Sequence, residues 1–171
     1  MSRFRLDNVR LSFPNIFAKS TYIQDGVSKE GKYEATFLFS KENAKMKEMI
    51  DAHIEEAIAA SPINKVASDK RCLKDGDESE YDGYENVWSF KGGNRKRPQI
   101  LDRDGTPLVE DDGKPYAGCY VNAIVDIWIQ NNTYGKRVNA NLYGIQFLKD
   151  GEAFGSGPID VTGEFDISDE F

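Results

Sequence analysis

Two alternating runs joined by a short turn, YVNAIVDIWIQ–NNTYG–KRVNANLYGIQFL, set the strongest limit on what this chain can fold into. In the first run, Val121, Ala123, Val125, Ile127 and Ile129 fall on one side, with Tyr120, Asn122, Ile124, Asp126 and Trp128 on the other. A period of two marks a strand with one buried face. In the second run Val138, Ala140 and Leu142 form the core set, and Arg137, Asn139, Asn141 and Tyr143 face away. Gly144 resets the phase, so Ile145 and Phe147 turn inward.

Other segments extend this β body. RFRLDNVRLSFPNIF places Phe4, Leu6 and Asn8 on one side and Arg3, Arg5 and Asp7 on the other, then continues through Val9, Leu11 and Phe13 with the phase switched. That switch predicts a bulge in one long strand, which Pro14 ends. KYEATFLFS is a second strand, with Tyr33, Ala35, Phe37 and Phe39 on one face. Ser40 is a good N-cap for a helix over about 41–60. Met46, Ile50, Ile54, Ala57 and Ile58 form its apolar stripe, and Ser61-Pro62 stops it. Residues 69–86 read as an acidic loop. Asp104-Gly105 and Asp112-Gly113 are turns around a short strand, Pro107–Glu110. The sum is a mainly β chain: a five-stranded antiparallel barrel of the OB-fold type with one inserted helix over 1–150. A sandwich fits the same pattern.

Charge divides the chain sharply. Of its 29 acidic residues seven lie in Asp150–Phe171, a stretch without Lys or Arg, and 22 lie in residues 1–149 beside all 22 basic ones. The body is therefore neutral and the tail carries the whole net charge of −7. Gly and Pro in GEAFGSGP and like charges beyond it predict a flexible acidic tail over 151–171. Such a tail can cover a basic groove or be handed to a partner, with Phe171 as the apolar anchor beside Asp166, Asp169 and Glu170.

Catalytic chemistry has few candidates. His53 is the only histidine, and it sits at the edge of the helix stripe without a partner motif. No phosphate-binding loop or dinucleotide fingerprint occurs. Cys72, Cys119 and His53 lack zinc spacing, and Asp102, Asp104, Asp111 and Asp112 read as turn residues. No metal, cofactor or enzymatic activity is expected. Two cysteines are too few for a disulfide framework, and Met1-Ser2-Arg3 leads straight into a strand. A cytoplasmic location without membrane contact follows as the expectation.

Binding signals are better. Tyr120, Trp128 and Tyr143 lie opposite the core among Asn side chains, with Arg137 and Lys136 beside them. Bases stack on aromatic faces at ~1–3 kcal/mol each, whatever the base. The alternative is that the inserted helix covers this face and makes Trp128 and Tyr143 core. WSFKGGNRKRPQILDR interleaves Trp88 and Phe90 with Arg95, Lys96 and Arg97 around a Gly-Gly hinge. It suits a loop closing over a nucleic-acid backbone. Tyr134, in the turn, is a further candidate.

These segments carry a resemblance. YAGCYVNAIVDIWIQNNTYGKRVNANLYGIQFLKDGEAFG resembles the C-terminal half of phage-encoded single-stranded DNA-binding proteins, and LSFPNIF, KYEATFLFSK, CLKDGDE with DGYE, and NRKRPQILDRDG resemble that family's other landmarks. The resemblance implies an OB-fold that coats single-stranded DNA in replication or recombination without catalysis. In a phage setting that places it in the host cytoplasm. ISDEF stands where related proteins carry an acidic tail with a terminal aromatic, though without the proline that precedes the common bacterial terminus. That tail implies replication or recombination proteins as partners, and a homo-oligomer is compatible with the sequence. A DNA-mimic inhibitor of a host nucleic-acid enzyme is the alternative; it would need an acidic body, and this body is neutral.

Overall fold

The computed structural model describes residues 2–63 and 65–154. The tail positions Asp166, Asp169, Glu170 and Phe171 lie outside the described residues.

In chain order the strands are β1 (Phe4–Asn15), β2 (Thr21–Gln24), β3 (Val27–Glu30), β4 (Tyr33–Ser40), β5 (Leu73–Asp75), β6 (Val87–Asn94), β7 (Gln99–Leu101), β8 (Tyr120–Asn132) and β9 (Gly135–Lys149), with a helix α1 (Ala44–Ala59) between β4 and β5. The two alternating runs form the antiparallel pair β8–β9, in register from Val125 opposite Leu142 to Asn132 opposite Gly135. Ile124 then faces Gly144, which leaves Tyr143 as the extra residue of a bulge. This is the phase reset that Gly144 signals.

β1 pairs with β8 on one side and β4 on the other, β4 pairs with β6, and a parallel bridge between Gly93 and Asn141 joins β6 to β9. The five strands β1, β4, β6, β9 and β8 thus close a barrel with OB-fold strand order. Phe37, Phe90, Leu6, Leu11, Leu142 and Ile145 fill it, all essentially inaccessible. Gly93 sits at the seam, where an added Cβ would stand 3.1 Å from the Tyr33 carbonyl oxygen. Its missing side chain lets β6 run close against Tyr33 and Glu34 of β4.

α1 buries the expected stripe of Met46, Ile50, Ile54, Ala57 and Ile58. His53 stacks on Phe4 with ring centroids 4.0 Å apart, which fixes the helix beside β1. The helix begins later than the sequence suggests. Asn43 caps it, its side chain accepting from the Met46 N–H, whereas Ser40 Oγ accepts from the Glu42 N–H in the preceding turn.

Three assignments need correction, and one hairpin has no counterpart in the sequence reading. The third barrel strand is β6, not Pro107–Glu110, where only Pro107 makes an isolated bridge to Leu101. Two adjacent glycines hide the alternation of β6. The stretch 69–86 contains β5, which pairs with β6. The hairpin β2–β3 turns at Asp25-Gly26, both at positive φ, with every residue of both strands exposed. An Asp-Gly between two short runs is its sequence signal, but no apolar alternation accompanies it. Phe13 does not continue the core phase of β1. The β1 register skips once against β8 between Leu6 and Val9, the bulge near Asn8, and again against β4 between Ser12–Thr36 and Asn15–Glu34, and this second bulge turns Phe13 outward.

Candidate nucleic-acid interface

A groove of about 1090 Å³ runs along β4 and β6, between β5 with the segment before it on one side and the start of β9 on the other. It lies where β6 leaves the seam. There Cys72 donates its backbone N–H to the Val138 carbonyl, and Lys91 donates to that of Cys72. In OB-folds the face of the second and third barrel strands, with the loops beside it, is the surface that takes oligonucleotides. Here those strands are β4 and β6. The loops are the one carrying β2–β3 and the β8–β9 turn.

Trp88 is among the residues that line this groove, half-buried and packed against the core. It belongs to β6, opposite Phe39 and Asp75, rather than to a loop. The Lys41 and Lys47 ammonium groups stand over its ring at 5.1 and 4.7 Å from the centroid. Lys41 is held by Asp75 and Asp77, each at 2.6 Å. Their hydrogen bonds raise the Lys41 pKa, and Lys41 holds both carboxyls below the usual range. Asp77 also accepts from the Asn86 N–H, and Glu85 from that of Gly83. Part of the acidic loop therefore builds the wall of the groove.

Lys91 and Arg137 line the groove from β6 and β9. Lys91 has a loose partner in Glu34 at 3.7 Å and is 62% exposed. Lys32, Lys70, Arg71 and Lys74 add further cations along the same walls. None of these four, nor the aromatic lining residues Phe13 and Tyr81, is singled out by sequence reading. Their groove is assembled from segments far apart in the chain.

Other expected site residues fall elsewhere. Lys136 and Tyr134 sit at the exposed β8–β9 turn, with Tyr134 85% exposed. Arg95, Lys96 and Arg97 are exposed between β6 and β7, and Arg97 stands over the Phe17 ring at 5.5 Å. Phe90 is a correction: it is wholly buried in β6, edge-on to Phe4, and cannot meet a base while the barrel is intact.

The proposed aromatic platform is not brought together. Tyr120 and Trp128 are eight residues apart on β8, about 26 Å at 3.3 Å per residue. Tyr120 has the Lys149 ammonium over its ring, and Tyr143 has the Arg3 guanidinium at 4.0 Å. The Tyr143 hydroxyl donates to Asp126, which raises its pKa. The amides around it are used up across the strands. Asn122 donates to Gln146, Asn141 to Asp126 and Asn139 to Gln130. α1 does not convert this face to core either, since Trp128 and Tyr143 remain half-buried.

Both cysteines are buried, and burial pushes the Cys72 thiol up to about 12 and that of Cys119 to about 11. Neither is a nucleophile at neutral pH. Among the described residues no three His, Cys, Asp or Glu side chains converge as a metal site. No described helix is long and apolar enough to cross a membrane.

Comparison with known proteins finds relatives of this chain and of its fold. The profile of a family described as the ssDNA-binding protein of Enterobacter phage Enc34 matches residues 3–171. Protein p50 of Acyrthosiphon pisum secondary endosymbiont phage 1 is 38% identical over 174 residues, covering 96% of this chain and 92% of that protein. The single-stranded DNA-binding protein of bacteriophage Enc34, solved in complex with ssDNA, superposes with a TM-score of 0.82 at 32% identity, over 90% of this chain and 89% of that one. The bacteriophage T7 protein gp2.5, also a single-stranded DNA-binding protein, shares the fold at a TM-score of 0.57 and 12% identity, over 94% and 98% of the two chains.

Proposed function

The chain belongs to the Enterobacter phage Enc34 ssDNA-binding protein family, and from that premise we propose that it binds single-stranded DNA, tolerant of sequence, in the groove along β4 and β6. It binds and does not catalyse, as its relatives do. The observation that carries the reading is Trp88 in a groove flanked by Lys91 and Arg137. A base stacks on an aromatic ring while nearby cations hold its phosphates. Lys136 and Tyr134 at the β8–β9 turn, with Arg95 and Lys96 before β7, extend the track. Among the described residues no helix is basic enough to enter a major groove, so sequence reading of duplex DNA is not part of the function. The biological setting is coating of single strands during phage replication or recombination.

The two tryptophans, Trp88 and Trp128, give a direct test. Titration with oligo-dT is expected to quench tryptophan fluorescence in the native chain and in Trp128→Phe, and to leave Trp88→Phe unquenched. Duplex and RNA oligomers of equal length measure selectivity in the same assay. Quenching that survives Trp88→Phe and vanishes in Trp128→Phe would move the site to the outer face of β8–β9. Failure of every oligomer to bind would favour the DNA-mimic alternative.

The acidic tail has two roles in this proposal. It competes with DNA for the groove, and it recruits replication or recombination proteins through Phe171 with Asp166, Asp169 and Glu170. All of the excess negative charge lies in it, and tethering gives an effective concentration on the order of mM. A chain ending at Ile159 is therefore expected to bind oligo-dT more tightly than the full chain. The gain should be largest at low salt, because screening weakens the competing contact. Deleting Phe171 alone is expected to leave DNA affinity unchanged and to abolish co-purification of phage or host replication proteins. Weaker binding by the truncated chain would end the competitor role.

A further inference from the structure

We propose that Phe13 and Tyr81, exposed side by side in the groove, form a subsite that takes one unstacked nucleobase and excludes the phosphate. The inference rests on the groove being the single-strand site and names what that part of it binds.

Phe13 departs from what a strand residue normally does. Its φ is 46°, in the left-handed region that favours glycine, and its ring is 52% exposed. The fold gains little from an aromatic ring held in water by a strained backbone. Strain of this kind is kept where surroundings fix it for a purpose. Here the surroundings do fix it. Ser12 Oγ and the Tyr84 hydroxyl are hydrogen-bonded at 2.7 Å, and both residues are buried. That bond ties the β1 bulge to the turn carrying Tyr81. Tyr81, 57% exposed, packs edge-on to Phe13 with centroids 4.7 Å apart and rests on Tyr84 at 5.4 Å. An edge-on pair leaves a ring face open, and both rings line the groove.

Charge selects what can occupy it. Tyr81 stands between Glu80 and Asp82, and Glu78 lines the groove beside it. A phosphate is repelled by these carboxylates, whereas a base offers a π face and no charge. The cations that suit phosphate, Lys91 and Arg137 with Lys32, Lys70, Arg71 and Lys74, come from other segments of the groove than the 78–82 turn. The acidic loop, without a role in the sequence reading, thus orients the strand with a base toward Phe13 and its backbone toward the cations.

The test compares oligo-dT with an abasic oligomer of the same length and charge, by fluorescence anisotropy over a range of salt. Phe13→Ala and Tyr81→Ala are expected to weaken oligo-dT binding about tenfold each, the loss of one stacked base. Binding of the abasic oligomer and the salt dependence should not change, because no phosphate contact is lost. Phe13→Tyr and Tyr81→Phe should bind like the native chain. Phe13→Gly should lose affinity as Phe13→Ala does, yet melt at the same or a higher temperature, since glycine relieves the backbone. The proposal is overturned if the alanine variants bind oligo-dT normally, or lose the same factor for the abasic oligomer. A native chain that binds no single strand would instead remove the groove reading on which it rests.

Discussion

Reversing charge at Lys91 and Arg137 together, as Lys91→Glu with Arg137→Glu, is expected to lower oligo-dT affinity about 100-fold at low salt. Two charge-assisted phosphate contacts at roughly 1.5 kcal/mol each account for that factor. The slope of log affinity against log salt should flatten by about 1.4, at roughly 0.7 per phosphate on a single strand. Both side chains line the groove from different strands, so their loss removes one track rather than one loop. Neither is buried, and the melting temperature should stay near that of the native chain. The paired control is charge reversal at Arg95 and Lys96, exposed between β6 and β7, which should have a smaller effect at equal charge change. Equal losses from the two double variants would mean that net charge, not the groove, governs binding.

Phe90→Ala should destabilise the barrel by about 3–5 kcal/mol, the range for a buried aromatic cut to alanine. For a domain of this size that corresponds to a fall of roughly 10 °C in melting temperature. Phe90 is wholly inaccessible and meets Phe4 edge-on at 6.4 Å, between β1 and the seam strand. Trp88, two residues before Phe90, lies on the same face of the pleat and packs against the core, half-buried, while also bordering the groove. Below its transition Phe90→Ala should bind oligo-dT with nearly native affinity. A variant that melts normally but loses DNA would put the ring back in the interface.

Local side-chain periodicity carried much of this architecture. The pairing of β8 with β9, the phase reset at Gly144, the bulge near Asn8 and the stripe of α1 each depend on residues within one element. A period of two or 3.6 is visible there without knowing the partner. The division between a neutral body and an acidic tail was equally plain, because charge needs no fold to be counted. Tertiary structure alone decided which strands meet and so where the groove lies. Asn8 donates its N–H to Asn122, and Gly93 meets Asn141, across separations that no local pattern records. β6 is obscured because Gly92 and Gly93 stand where alternation would show side chains. Phe13 looked like core until pairing with β4 revealed an extra residue that turns it outward. The outward-facing side chains of Asn122, Asn139, Asn141 and Tyr143 carry no partner in the sequence pattern and are bonded in the structure to Gln146, Gln130 and Asp126, since cross-strand neighbours exist only once the register is set.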